Sequence, residues 1–154
     1  MSRPATRLLV CLLVPVAIAL PACGDDEGDG TEGGGSTVEI TLQEFAVVPG
    51  STSASTGAVT FDATNDGPDD DHELVVIKSD LDITALPTNE NGSVNEEGEG
   101  IEVIGEIEEF PPGESRSGTF ELDAGSYVLI CNIYDESEQE AHYQEGMRVA
   151  FTVT

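Results

Sequence analysis

From Val38 onward the chain sets apolar against polar residues in short runs divided by turn formers. Val38, Ile40 and Leu42 occupy every second position, the mark of a strand with one buried face. Val59, Phe61 and Ala63 repeat that spacing until Asn65-Asp66-Gly67-Pro68 breaks it with strong turn chemistry. Residues 74–77 are continuously apolar, which predicts a strand covered on both faces. Ile101, Val103, Gly105 and Ile107 alternate again before Phe110-Pro111-Pro112-Gly113. Further strands are predicted over residues 119–122 and 127–131, with a turn at Asp123-Ala124-Gly125 between them. Residues 148–154 close the chain with Val149, Phe151 and Val153 on one face. No stretch sustains a period of 3.6. About eight short strands with turns between them predict an all-β antiparallel sandwich over residues 37–154. Residues 84–100 fit neither strand nor helix and read as an exposed acidic loop.

The start of the chain follows a different pattern. Arg3 and Arg7 precede an apolar run over residues 8–20 that is too short to span a bilayer comfortably and suits a signal-peptide core. The run ends in Leu20-Pro21-Ala22-Cys23-Gly24, which resembles a bacterial lipobox: an aliphatic residue, small residues, then the cysteine that receives lipid. Residues 1–22 are thus expected to be a signal peptide and Cys23 a lipidation site. Residues 23–36 supply a flexible, acidic, Gly-rich tether. Random-coil scaling gives such a tether a reach of about 20 Å, which would keep the domain close to its membrane. The chain is expected to be exported and anchored on the outer face of the cytoplasmic membrane, or to be otherwise extracytoplasmic.

Charge narrows the choice of partner. Thirty-one acids face five Lys and Arg, for a net charge of −26. A phosphate backbone would be repelled, so nucleic acid is not an expected partner. Removing residues 1–22 takes away Arg3 and Arg7 but no acid, so the exported chain is more acidic still. Redox or other protein partners are therefore expected to present basic docking patches.

The chemistry-bearing residues are few. Beyond Cys23 the chain holds two His, one Cys and one Met, in the order His72, Cys131, His142, Met147. An unpaired Cys in an exported chain needs an explanation, because no internal disulfide is open to it. His72 opens a predicted strand, Cys131 ends one, and His142 and Met147 lie in the loop that follows. Two imidazoles, a thiolate and a distant thioether form the ligand set of blue-copper sites, in which sulfur favours Cu(I) and nitrogen suits Cu(II). Each residue has a plainer account on its own: a surface His, a small buried Cys, a core-filling Met. Taken together, with no other His, Cys or Met in the domain, metal accounts for all four. Asp69-Asp70-Asp71 lacks the alternating spacing of a calcium loop and reads as a solvated turn. No oxyanion group or third orienting residue supports a Cys131–His142 nucleophile, so an enzyme is not expected.

Three segments carry a family likeness. Asn65-Asp66-Gly67 with residues 72–77, residues 123–131 with their Gly-x-Tyr corner, and residues 142–147 with the final strand resemble small blue (type 1) copper proteins of the cupredoxin, plastocyanin-like family. The resemblance implies a Greek-key β-sandwich and one copper ion. It implies His72, Cys131 and His142 as strong ligands and Met147 as the weak axial one. Single-electron transfer by Cu(II)/Cu(I) cycling would be the function. Two alternatives stay open: a copper carrier or buffer without electron transfer, and a metal-free interaction domain on the same fold. One departure stands out. Ten residues, four of them acidic (Asp135, Glu136, Glu138 and Glu140), separate Cys131 from His142, where the family usually has only a few. Such a loop is expected to loosen the ligand frame.

Overall fold

The computed structural model describes residues 35–154. The expected signal peptide, Cys23 and most of the tether lie outside the described residues. The first strand, β1 (Ser36–Gln43), begins one residue before the expected boundary. It is followed by β2 (Ala46–Pro49), β3 (Ser53–Ala54), β4 (Gly57–Asn65) and β5 (His72–Lys78). Then come β6 (Glu102–Phe110), β7 (Ser115–Leu122), β8 (Gly125–Ile130), β9 (Tyr134–Asp135) and β10 (Glu140–Ala141). A single helical turn, α1 (His142–Glu145), leads into β11 (Arg148–Val153).

Two sheets stack as a sandwich, one ordered β2-β1-β4-β7 and the other β3-β11-β8-β5-β6. The sandwich matches expectation, but the sheets are mixed rather than purely antiparallel. β1 runs parallel to β4, pairing Val38 with Phe61 and Ile40 with Ala63. β3 runs parallel to β11. Alternation records which face of a strand is buried and says nothing of the direction of its neighbour. Three of the strands, β3, β9 and β10, are two residues long and leave no periodic signal.

The core between the sheets takes Val38, Ile40 and Leu42 from β1, Val59, Phe61 and Ala63 from β4, and Phe151 and Val153 from β11. Each large side chain buried this way contributes about 1.5–3 kcal/mol. Tyr127 joins them and donates its hydroxyl to the Asp123 carbonyl at 2.8 Å, which clamps the turn before β8. The four apolar residues of β5 split between two layers. Leu74 and Val76 face the inner core, and Val75 and Ile77 face outward with Val128 and Ile130.

The outer layer is closed by the segment read as an exposed loop. Its acids are exposed, but Leu86 and Val94 are buried against the sheet beside Tyr143. The Tyr143 hydroxyl donates to the Ile83 carbonyl at 2.9 Å and accepts the Leu86 N–H at 3.2 Å. Two apolar residues among many polar ones are too few to give a period, yet they complete a layer.

β6 also departs from simple alternation. Val76 pairs with Gly105 and Ile77 with Val103, which leaves Ile104 as an extra residue. The bulge switches faces, so Val103 packs outward while Ile104 and Ile107 pack inward. Gly105 is needed for close approach: a Cβ there would stand 2.8 Å from the Phe120 ring.

Candidate metal centre

The site lies where β4, β6 and β8 end and β5 begins. Asn65, the last residue of β4, is fully buried and fully paired. Its amide donates to the Asp70 and Phe110 carbonyls, both at 2.9 Å, and its oxygen accepts the Gly67 N–H at 2.8 Å. Gly67 has φ +41°, and a Cβ there would meet Pro112 at 2.8 Å. The turn chemistry read from the sequence therefore does more than stop a strand. It ties the 65–71 turn to the end of β6 and so fixes where β5 begins.

His72 is the first residue of β5, with its side chain wholly buried. Cys131 follows β8 directly and is equally buried. Its N–H donates to the Met147 carbonyl at 3.1 Å, and its Sγ accepts the Glu73 N–H at 3.5 Å. His142 opens α1 and is 1% exposed. Its N–H donates to the Ile133 carbonyl at 3.0 Å, while its carbonyl accepts the N–H groups of Gly146 and Met147. The ten residues expected to loosen this frame contain a hairpin of their own, with Tyr134 paired to Ala141 and Asp135 to Glu140. The hairpin takes up the extra length and returns His142 to Cys131.

Three of the four sequence-predicted ligands converge. One ligand atom each of His72, Cys131 and His142 lies within 4.8 Å of the others. His142 Nδ1 is 3.4 Å from Cys131 Sγ, and His72 Nδ1 is 3.9 Å from it. Metal–sulfur and metal–nitrogen bonds of about 2.3 and 2.0–2.1 Å, 120° apart, would set these atoms about 3.8 Å from each other. The donor set fits one copper ion. Met147, the fourth, is fully buried in the inner core and tied to Cys131 through its backbone.

Electrostatics keep the site uncharged. Burial lowers the pKa of both histidines, and for His72 the neighbouring His142 adds to the effect, so both imidazoles are neutral at pH 7. Burial pushes the Cys131 thiol up to about 12. A cation bound between the three side chains would displace that proton and stabilise the thiolate.

Sequence reading missed the residues that stand around the ligands. The turn between β1 and β2 places Glu44 behind His72 and Phe45 against His142, with ring centroids of the latter pair 5.3 Å apart and edge-on. Glu73 Oε1 accepts the Asn132 N–H at 3.0 Å and so braces β5 against the start of the His142 loop. Asn132 in turn accepts the Val94 N–H at 2.6 Å and donates to the Val94 carbonyl at 3.1 Å. Glu44 and Phe45 lie far from the ligands in sequence, and nothing local marks them out.

No protein-family model matches the chain, and no curated protein sequence matches it either. Solved structures do. The dithionite-reduced auracyanin of Roseiflexus castenholzii matches with a TM-score of 0.54 and 23% identity, covering 77% of this chain and 97% of that one. Auracyanin B matches with a TM-score of 0.51 and 26% identity, covering 77% and 88%. Auracyanin A of Chloroflexus aurantiacus, described as a "blue" copper protein, matches with a TM-score of 0.53 and 21% identity, covering 79% and 100%. The sandwich expected from the sequence is the fold of these proteins.

Proposed function

We propose that the chain is an exported, membrane-anchored electron carrier with one copper ion in a type 1 site. His72, Cys131 and His142 are its strong ligands and Met147 its weak axial ligand. The observation that carries this reading is the convergence of two imidazole Nδ1 atoms on one buried thiol, at 3.4 and 3.9 Å. Copper would supply the one-electron Cu(II)/Cu(I) couple. The chain's own residues set the conditions for it. The sandwich holds His72 and Cys131 at strand ends, where neither can move far as charge changes. The Glu73 N–H directs a dipole at the sulfur and stabilises thiolate charge. Burial of all three donors keeps water off the site. Phe45, partly exposed and in ring contact with His142, extends that ligand toward solvent.

Anchoring rests on the lipobox-like Leu20-Pro21-Ala22-Cys23 and the Gly-rich segment behind it, with Cys23 as the lipidated residue. A net charge of −26 favours redox partners, donor and acceptor alike, that carry basic docking patches. The role is that of a carrier rather than an enzyme.

The test is a visible absorption spectrum of the purified protein with one equivalent of Cu(II), beside Cys131→Ser. An intense thiolate-to-copper band in the wild type and none in the variant is the expected result. Tight copper by elemental analysis without the band would replace this reading with that of a carrier or buffer. No bound copper would leave a metal-free interaction domain.

A further inference from the structure

Among the described residues, two buried side-chain polar atoms have no hydrogen-bond partner: Glu44 Oε2 and His72 Nε2. Such atoms are rare in folded proteins, and each asks for a reason. These two belong to neighbouring groups, with Glu44 Oε1 3.7 Å from His72 Nε2. The same oxygen is well anchored. It accepts the N–H of Asp69 at 3.0 Å and of Asp70 at 2.7 Å.

A carboxylate facing the far nitrogen of a ligand histidine has a definite chemical use. When Nδ1 of an imidazole binds a metal, the ring proton sits on Nε2, and the group hydrogen-bonded there fixes tautomer and ring orientation. A charge-assisted N–H···O bond is about 2.7–2.9 Å long, so the pair stands about 1 Å short of closure. Closing it would satisfy an orphan donor and engage a carboxylate that has acceptor capacity to spare.

We propose that Glu44 is a positioning residue: it accepts the Nε2–H of His72, turns the Nδ1 lone pair toward Cys131 Sγ, and favours the more highly charged state of the bound ion. This inference rests on the copper reading above. It assigns to the β1–β2 turn a part in setting the reduction potential, because a negative partner on the imidazole stabilises Cu(II) more than Cu(I).

The test compares wild type with Glu44→Gln, Glu44→Ala and Asp71→Asn. The Gln variant is the informative one. Its amide oxygen, in the place of Oε1, still accepts the Asp69 and Asp70 N–H groups and still faces Nε2, while the negative charge is gone. In metal-free protein, ring 15N shifts should show His72 protonated on Nε2 in the wild type and in Glu44→Gln, and shifted toward Nδ1–H in Glu44→Ala, which offers no acceptor. In Glu44→Gln, chelator competition should show Cu(II) binding weakened about tenfold more than Cu(I) binding, at the low end of outer-shell effects. That ratio equals a rise in potential of about 59 mV. Asp71→Asn removes the same charge from an exposed neighbour and should give only a small fraction of the change.

A purely structural role in holding the 69–71 turn makes a different forecast. Glu44→Gln would then match the wild type in potential, and Glu44→Ala would lower the melting temperature without moving the His72 tautomer. That outcome, or a Glu44→Gln shift no larger than that of Asp71→Asn, overturns the inference while leaving the copper site standing. Absence of copper from the wild-type protein would overturn the copper reading itself, and this inference with it.

Discussion

The two histidines of the site offer the same atom, Nδ1, to the same sulfur, and both are buried, yet they are held in opposite ways. His72 belongs to a strand hydrogen-bonded on both sides, to β6 and to β8, with apolar layers above and below. His142 heads a four-residue helix at the end of a hairpin whose tip, Glu136 to Gln139, is exposed. One histidine is placed by the sheet and the other by a loop that folds on itself. The first is as rigid as the core. The second depends on a small apolar cluster around Tyr143 and a few polar contacts, so the two arms should break under different insults.

The largest difference should come from the strand arm. Leu74→Ala removes a fully buried side chain two residues from His72 and should cost about 4 kcal/mol, in the upper part of the usual range. Chemical denaturation would read this directly. A loss under about 1 kcal/mol would mean that the sheet does not hold His72 as rigidly as described.

Next in size is the brace between the arms. The Glu73 carboxyl is pushed up to about 7, first by burial and then by Glu106, Glu96 and Glu109, against the Asn132 N–H that favours its ionised form. The folded metal-free protein therefore keeps a proton that the unfolded chain releases between about pH 4.5 and 7. Its stability should fall as pH rises through that window, by up to about 3 kcal/mol. Glu73→Gln retains an acceptor for Asn132 and lacks the titration. It should match the wild type near pH 4 and exceed it in stability at pH 8. A gap that does not change with pH would contradict this origin.

The smallest effect belongs to the hairpin tip. Glu136→Gln with Glu138→Gln changes exposed residues and should alter stability by less than about 0.5 kcal/mol. It should still slow electron exchange with a basic partner a few-fold at low ionic strength, with the difference vanishing in high salt. An unchanged rate would move the docking face to the strand arm, where Asp69 and Asp71 are exposed.

The same contrast governs what the sequence discloses. The strand arm is legible because period-2 patterning and the apolar run at 74–77 are the direct imprint of burial on one face or on two. The candidate ligand residues stand out because the domain has no spare His, Cys or Met. The parallel pairing of β1 with β4 is not legible, since strand direction leaves no mark on alternation. The loop arm is harder still. Its stability comes from the Tyr143 hydroxyl, from Leu86 and Val94, and from the Glu73–Asn132 bond, contacts between residues far apart in sequence. Glu44 is silent for the same reason, 28 positions before the ring it faces.

Burial of every donor has a further consequence, in how the site is filled and emptied. An electron crosses a wall of side chains by tunnelling, and no atom has to leave its place. An ion has no such route: His72 and Cys131 are fully enclosed and His142 is 1% exposed. Uptake and release must wait for the wall to part, and its weaker side is the loop that carries His142. Local opening of that loop then sets both rates. The acidic exterior can gather cations at the surface, but their entry is timed by the loop.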